Sequence, residues 1–249
     1  VQNDGKILAG GSFSSYNGEL SYNIIRLNND GTKDNTFITN LGFNNLVKSI
    51  AIQTDGKILV GGNFTSYNGQ LSKGLIRLNN DGSIDNTFNN GINNYSYALL
   101  DVIVIQNDGK ILIGGWINND ITGTGNILIR LNNDGTVDNT FTIGSGNSRV
   151  STIAIQTDGK ILLGGNFTSY NNQQFNRVIR LNNNGTIDNL FSIGSGFNAY
   201  VYSIHLQIDG KIIVGGDFSS YNLVPSPTII RLNSNGTKDI TFNIGTGFN

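Results

Sequence analysis

The sequence contains no cysteine, which excludes disulfide bonds and thiolate metal sites. It has one histidine, His205, and one glutamate, Glu19, so imidazole and glutamate chemistry is limited to single residues. Only 13% of the residues are charged and the formal net charge is −1, so no basic field exists to hold phosphate backbones. We therefore expect no nucleic-acid partner, no metal site and no cofactor.

Long apolar runs are also missing. No stretch approaches the roughly 20 apolar residues that cross a bilayer, and no signal sequence flanked by lysine or arginine is present. Membrane insertion is therefore not expected. The chain has no methionine and begins at Val1. From this we expect a segment of a longer polypeptide that carries further domains or repeats.

An internal repeat accounts for most of the chain. The tripeptide Asp-Gly-Lys recurs every 50 to 53 residues, starting at Asp4, Asp55, Asp108, Asp158 and Asp209. An arginine follows in each repeat, at Arg26, Arg77, Arg130, Arg180 and Arg231. An aspartate lies eight positions after each arginine, at Asp34, Asp85, Asp138, Asp188 and Asp239. Regular recurrence of this kind is the signature of a repeat architecture.

Each repeat holds four apolar runs of strand length, and those of repeat two are 47–53, 57–64, 74–79 and 83–88. Asp-Gly separates the first two runs and again the last two, which is a strong hairpin signal. Four hairpin-linked strands in about 50 residues are typical of a propeller blade. A β-solenoid is the alternative, but its coils are shorter. The sequence predicts an all-β fold, a single β-propeller domain over 1–249 with five four-stranded blades of about 51 residues, starting near 1, 47, 100, 150 and 201.

The motif also carries a family resemblance. The strings D-G-K-I-L-x-G-G-x-F and R-L-N-x-D-G-x-x-D-x-x-F resemble the delta-60 repeat, a propeller unit of secreted and surface-associated bacterial proteins and of some phage proteins. Repeat three departs from the pattern at Trp116-Ile117-Asn118, and repeat five at Pro225 and Pro227. The resemblance implies a propeller fold and an extracellular, cell-surface or virion-surface setting. It implies no activity.

The repeated charges are expected to be structural. If Gly31 adopts a left-handed conformation in the turn after Arg26, then Arg26 faces Asp34 across the outer hairpin. We predict that Arg26–Asp34 and its four equivalents are ion pairs partly buried between blades, with a solvated arrangement as the alternative. The Asn-Asp-Gly strings also resemble calcium loops. An arginine occupies the first ligand position, however, so a turn is the better interpretation.

Few residues remain for catalysis once the repeated ones are subtracted. The acids are Glu19, Asp101, Asp120 and Asp217, and the base is His205, in the first strand of its blade and expected near the central channel. A glycosidase needs two carboxylates close together, and nothing in the sequence brings two of these acids together. We therefore predict a protein without catalytic residues, with a polysaccharide hydrolase as the less favoured alternative.

A binding role has better support from the loops. The longer loops are expected on one face of the propeller, where aromatic and amide side chains recur. The candidate ligand-binding residues are Tyr16, Asn17, Tyr67, Asn68, Tyr170, Asn171, Tyr221 and Asn222. Tyrosine beside asparagine suits a glycan or a protein surface. Two alternatives stay open: the tyrosines pack in the core and the asparagines only form turns, or the domain is a scaffold without a ligand.

Two further expectations concern single features. Trp116, the only tryptophan, follows the Gly-Gly pair directly, and we predict that it is more buried than Tyr67 or Tyr170. Repeat one keeps only Val1-Gln2 of the first strand that the other repeats carry, so the first blade is predicted to lack its inner strand. An unpaired strand edge favours a polypeptide that continues past one end and completes the blade.

Overall fold

The computed structural model describes residues 1–118, 125–226 and 228–245, and Asp120 lies outside them. Every regular element in this part of the chain is a strand, and no helix occurs in it. Accordingly, the described residues include no long apolar helix of the kind that spans a membrane. The prediction of an all-β fold is confirmed.

Twenty-three strands follow the repeat. The first strands of repeats two to five are β5 (Val47–Ile52), β10 (Tyr97–Ile105), β14 (Val150–Ile155) and β19 (Val201–Leu206). The second strands are β1 (Ile7–Gly10), β6 (Ile58–Gly62), β11 (Ile111–Asn118), β15 (Ile161–Gly165) and β20 (Ile212–Gly216). The third strands are β4 (Ile24–Leu27), β9 (Leu75–Leu78), β12 (Gly125–Leu131), β18 (Val178–Leu181) and β23 (Ile229–Leu232).

Short strands fill the connections between second and third strands. They pair as hairpins in repeats one, two, four and five: β2 (Ser15–Tyr16) with β3 (Glu19–Leu20), β7 (Ser66–Tyr67) with β8 (Gln70–Leu71), β16 (Ser169–Tyr170) with β17 (Gln173–Gln174), and β21 (Ser220–Tyr221) with β22 (Val224–Pro225). The remaining strand, β13 (Gly144–Gly146), pairs with β12 and β16. We call the four strand pairs in repeats one, two, four and five the small hairpins. The sequence pattern did not predict them.

The antiparallel sheet of repeat two shows how the sequence builds each blade. In β5, β6 and β9, Ile50 lies opposite Val60 and Val60 lies opposite Ile76. All five residues of β6 are buried, because neighbouring sheets cover both faces of this middle strand. The turn between β5 and β6 needs Gly56, whose φ is 83°. The main sheet of repeat one consists of β1 and β4 alone, which agrees with the predicted lack of its inner strand.

The fourth strand of each repeat is shorter than predicted. In repeat two it is reduced to a single bridge between Leu78 and Ile84. The reason is Asp85, whose Oδ1 accepts hydrogen bonds from the backbone N and the hydroxyl of Thr87 at 3.0 and 2.7 Å. The backbone carbonyl of Asp85 also accepts from the amide of Phe88. These bonds turn the chain away from the sheet after one pair.

The chain divides into two compact units, and the border between them passes through repeat three. The first unit holds repeats one and two and part of repeat three, and its core includes Ile24, Phe43, Ile58, Phe64 and Tyr67. The second unit holds the rest of repeat three and repeats four and five, with a core that includes Val178, Phe197, Val201, Phe218 and Tyr221. Each core lies between the sheets of adjacent repeats.

Candidate ligand-binding surface

The predicted arginine–aspartate pairs are present in all five repeats. Arg26 Nε donates to Asp34 Oδ2 at 2.6 Å, and the equivalent distances in the other four repeats are 2.6 to 2.8 Å. Four of the arginine side chains are at most 8% exposed and Arg231 is 20% exposed. Gly31 has a φ of 84°, which is the left-handed conformation from which the pairing was predicted. The buried-pair prediction is confirmed.

Further contacts make Arg26, Arg77 and Arg180 links between repeats. Arg77 Nη1 donates to the carbonyl of Asn133 in the next repeat, and its guanidinium lies 4.7 Å from the ring centre of Phe88. Lys57 Nζ shares Asp85 Oδ2 at 2.7 Å. Burial alone would raise the pKa of Asp85, but hydrogen bonds from Lys57, Thr87 and Arg77 outweigh it and lower that pKa. These charges are fully engaged inside the protein, so they offer nothing to a ligand.

The Asn-Asp-Gly strings form turns, as expected. Asp30 Oδ1 accepts hydrogen bonds from the backbone N and hydroxyl of Thr32 at 2.9 and 2.7 Å. These bonds occupy the carboxylate within its own turn, and the hydrogen bonds from Thr32 lower the pKa of Asp30. In the part of the chain that the structure describes, no group of three or more histidines or acids is arranged to hold a metal ion.

Three of the four candidate tyrosines are in the core. Tyr67 and Tyr170 are 0% exposed and Tyr221 is 2% exposed. The hydroxyl of Tyr67 donates to the carbonyl of Gly82 at 2.8 Å, which connects the small hairpin to the outer turn of the same repeat. Phe43 and Phe64 pack beside the Tyr67 ring. The prediction that Tyr67, Tyr170 and Tyr221 contact a ligand is therefore wrong, because their small hairpins direct these three rings inward.

The remaining candidates are turn residues or partly exposed. Asn17, Asn68, Asn171 and Asn222 all have φ between 46° and 49°, as the first residue of a two-residue hairpin turn. Asn68 Oδ1 accepts from the amide of Gly42 at 2.9 Å, so its side chain also anchors the preceding link. Tyr16 is half-buried, with its hydroxyl on the carbonyl of Gly31 at 2.8 Å. Tyr16, Asn68 and Asn171 are half-buried, and Asn17 and Asn222 are exposed. A ligand contact at these five residues stays a prediction.

The prediction for Trp116 is also wrong, because Trp116 is half-buried whereas Tyr67 and Tyr170 are completely buried. The next residue, Ile117, is 0% exposed and takes the core position that Phe64 has in repeat two. Trp116 therefore takes the position of Asn63, and its indole covers Gly125.

The unrepeated acids are held by separate partners. Asp101 forms an ion pair with Lys48, and Glu19 pairs with Lys33 at 3.0 Å on the surface. Asp217 accepts a hydrogen bond from the hydroxyl of Tyr202. His205 is exposed and lines an open cavity of about 550 Å³ beside Gln207 and Asp209, without an acidic cluster around it. The described structure does not assemble a carboxylate pair from these residues.

A β-bulge explains where the unrepeated residues lie. Near the start of β5, β14 and β19 the register shifts by one residue, which leaves Lys48, Ser151 and Tyr202 without a partner on the neighbouring strand. A bulge directs such a side chain out of the regular sheet. Asp101 has the equivalent position in repeat three. We call these four residues the bulge positions. They lie at the end of the sheets where the small hairpins and the links between repeats are found.

In the second unit the bulge supports an aromatic cluster. The rings of Tyr200 and Tyr202 stack with centres 4.6 Å apart and an angle of 22°. Tyr202 is 51% exposed, and its hydroxyl donates to Asp217, which raises the pKa of Tyr202. The hydroxyls of Tyr200 and Ser151 are 2.7 Å apart. We call Tyr200, Tyr202, Asp217 and Ser151 the tyrosine cluster. It places an exposed aromatic face beside a carboxylate on a rigid strand.

Sequence reasoning predicted ligand contacts at the end of the sheets that carries the small hairpins, and the structure adds the tyrosine cluster as a candidate there. The signal for the tyrosine cluster was present, because Asp217 was already set apart as an acid outside the repeat. Subtracting the repeated bases in the same way would have isolated Arg149 and Arg177 as well. The exposed position of Tyr202 could not be predicted from the sequence, because the apolar pattern does not reveal the bulge.

Comparison with known proteins supports the repeat assignment. A family model described as a domain of unknown function (DUF5122), beta-propeller, matches residues 2–37, 53–88, 106–141, 156–191 and 207–242. These five matches agree with the delta-60-like repeat. A search of curated protein sequences finds no match to this chain.

Several solved structures share the fold at low identity. PorZ, a bacterial surface component of the type-IX secretion system of Porphyromonas gingivalis, has a TM-score of 0.56 at 12% identity, over 95% of this chain and 32% of PorZ. A gluconolactonase from Xanthomonas campestris has a TM-score of 0.51 at 10% identity, over 86% of this chain and 66% of the enzyme. This chain therefore spans about a third of PorZ and just under two thirds of the enzyme. At these identities the similarity shows the fold alone.

Proposed function

The chain belongs to the DUF5122 beta-propeller family, and from that premise we propose that it is a non-enzymatic binding module of an extracellular or surface-displayed protein. The family is described only as a domain of unknown function, so membership assigns no activity. The resemblance of the repeat to secreted and surface-associated proteins supports the setting, as does the fold shared with a bacterial surface component. The expected partner is a glycan at the end of the sheets that carries the small hairpins.

The tyrosine cluster is the observation that carries this proposal. Two stacked rings with one exposed face offer a flat apolar surface on which a sugar ring can lie. Asp217 and Ser151 sit at its edge and can accept hydrogen bonds from hydroxyl groups. Tyr202 lies on β19 with Tyr200 just before it, Ser151 lies on β14, and Asp217 follows β20. The strands therefore hold the cluster in place without a ligand.

Hydrolysis is the less favoured alternative, although a gluconolactonase shares the fold. Asp217 is hydrogen-bonded to Tyr202, and Asp101 is paired with Lys48, so each acid has its own partner. Turnover of a polysaccharide in a substrate screen would overturn the non-enzymatic proposal, with Asp101, Asp120 and Asp217 as the first residues to mutate.

A glycan array tests the binding proposal directly. We expect the wild-type chain to bind and the Tyr202→Ala variant to lose binding by about tenfold or more, which corresponds to the 1–3 kcal/mol typical of a lost aromatic stacking contact. Because Tyr202 is about half exposed, its replacement should leave the melting temperature nearly unchanged.

Tyr97→Ala is the matched control, because Tyr97 is an exposed tyrosine at the start of β10 and outside the cluster. Its binding should equal that of the wild type. A Tyr202→Ala variant that binds glycans as tightly as the wild type would show that the site lies outside the tyrosine cluster. An array without any binding would overturn the carbohydrate proposal and favour a scaffold.

A further inference from the structure

Arg177 occupies a backbone position that suits glycine better than arginine. Its φ is 72°, in the left-handed region, and the equivalent residues of repeats one and two are Asn23 and Gly74, with φ of 64° and 68°. Asparagine and glycine tolerate this conformation, whereas a residue with a long side chain is disfavoured there. An arginine kept in such a conformation points to a use for its side chain.

The guanidinium of Arg177 is only partly used by the protein. Nη1 donates to the carbonyl of Asn166 at 2.6 Å. Nε is buried and has no hydrogen-bond partner among the residues that the structure describes, and none of their carboxylates pairs with this guanidinium. The five repeated arginines, in contrast, all donate Nε to an aspartate. A buried N–H without an acceptor is rare enough to require an explanation.

Arg177 also lines a cavity. The cavity has a volume of about 260 Å³, and its walls include Asn176, Ser195, Asn198, Ser220 and Leu223. Pockets for drug-sized ligands start at roughly 300 Å³, so this one suits a single small group of a larger ligand. Its walls offer neutral hydrogen-bonding groups around one cation and no carboxylate, which favours an anionic guest.

The cavity and the tyrosine cluster lie at the same end of neighbouring sheets in the second unit. Asn198, in the cavity wall, is two residues before Tyr200. Asn166, whose carbonyl the guanidinium contacts, follows β15 just as Asp217 follows β20. A ligand lying on the tyrosine cluster therefore has the cavity on the same surface.

We propose that Arg177 and this cavity form a carboxylate-binding subsite, so that the ligand of the tyrosine cluster is an acidic glycan. The guanidinium can donate charge-assisted hydrogen bonds to a carboxylate that enters the cavity. This inference rests on the proposed function and adds the charge of the ligand to it. A uronic acid is the class of sugar that carries such a group.

The experiment compares oligogalacturonate with its methyl ester, which has the same sugar chain without the charge. The wild-type chain should bind the free acid about tenfold more tightly than the ester, as expected for charge-assisted hydrogen bonds. In Arg177→Gly this preference should disappear while binding of the ester persists. The melting temperature of Arg177→Gly should be unchanged or higher, because glycine relieves the left-handed backbone.

Asn23→Gly makes the same backbone change in repeat one and should keep the preference for the acid. A wild-type chain that binds acid and ester equally, or an Arg177→Gly variant that keeps the preference, would overturn the subsite and leave the binding module standing. Absence of binding to both sugars, together with a blank glycan array, would overturn the proposed function and the subsite with it.

Discussion

The repeated arginine combines an ion pair, a backbone hydrogen bond and an aromatic contact in one side chain. In repeat two, Arg77 is paired with Asp85, donates to the carbonyl of Asn133 and lies over the ring of Phe88. The Arg77 side chain is 6% exposed, so water has little access to the groups that it contacts. Arg77 therefore fixes both its own hairpin and the neighbouring repeat.

We predict that Arg77→Ala lowers the free energy of unfolding by about 3–5 kcal/mol, because it leaves a carboxylate buried without its main partner. Urea denaturation followed by circular dichroism measures this change. Lys57→Ala is the matched control, since Lys57 contacts the same Asp85 oxygen but is 28% exposed. Its cost should be at most about 1 kcal/mol.

An equal loss in Arg77→Ala and Lys57→Ala would contradict the buried pair as the source of the effect. The same substitution at Arg130, the equivalent arginine of repeat three, should lower the melting temperature in the same way. Arg130 Nε is 2.7 Å from Asp138 Oδ2 and its side chain is 6% exposed, so the physical reason carries over.

The pairs were predictable because the turn sets the register. Once Gly31 takes a left-handed conformation, the position of Asp34 opposite Arg26 follows from chain geometry. The orientation of Tyr67 did not follow, since it depends on a small hairpin that the apolar pattern does not reveal. The prediction for the burial of Trp116 failed for a related reason. A shift of one residue along a strand exchanges the core face for the opposite face.

At the scale of the strand, the Gly-Gly pair sets how closely two strands approach. A Cβ on Gly62 would lie 2.2 Å from the carbonyl oxygen of Leu46 and 3.0 Å from the Cα of Val47. Both are backbone atoms at the start of β5, so they cannot move aside as a side chain can. The close approach at the bulge therefore requires glycine.

Gly62→Ala should lower the free energy of unfolding by about 1–3 kcal/mol, as overpacking does. Gly11 is the equivalent glycine of repeat one, and a Cβ there would meet only the ring of Phe13, at 3.4 Å. Gly11→Ala should therefore change stability by less than about 0.5 kcal/mol. The shift in the urea midpoint distinguishes the two variants, and equal midpoints would show that strand approach is not the reason for the glycine.

The strands themselves were largely predictable, and their ends were not. The first three strands of repeat two lie within the predicted runs because β-rich apolar residues and Asp-Gly turns define them locally. The fourth stops after one bridge, since the Asp85 side chain bonds to the turn that follows. That competition between a side chain and the sheet depends on three-dimensional geometry that an alternating pattern does not contain.

For the whole molecule, the paired aspartates and buried tyrosines predict that stability is nearly constant over a middle range of pH and falls on either side. Burial would raise the pKa of Asp34 and Asp85, but hydrogen bonds from lysine, threonine and arginine outweigh it and lower both values from 3.8. The hydrogen bond from Lys211 leads the same change for Asp239. Groups with a lowered folded pKa stabilise the fold above their unfolded pKa, and this stabilisation is lost as the pH falls below it.

Tyrosines set the other limit. Burial raises the pKa of Tyr67, Tyr170 and Tyr221 above 10.0, so their contribution is complete below that pH and is lost as the pH rises further. Urea midpoints measured from pH 2 to 12 should therefore be nearly flat between about pH 5 and 9 and fall on both sides. A midpoint that stays constant down to pH 2 would contradict the stabilising role of the paired aspartates.

The bulge has a consequence for how such a protein can change over generations. Interior residues recur from repeat to repeat, because within each unit the sheets of adjacent repeats enclose the same kind of core. The bulge positions escape this requirement, and they carry a lysine, an aspartate, a serine and a tyrosine at Lys48, Asp101, Ser151 and Tyr202. A new recognition surface can then evolve, or be selected from a library randomised at these four codons, while the scaffold keeps its stability.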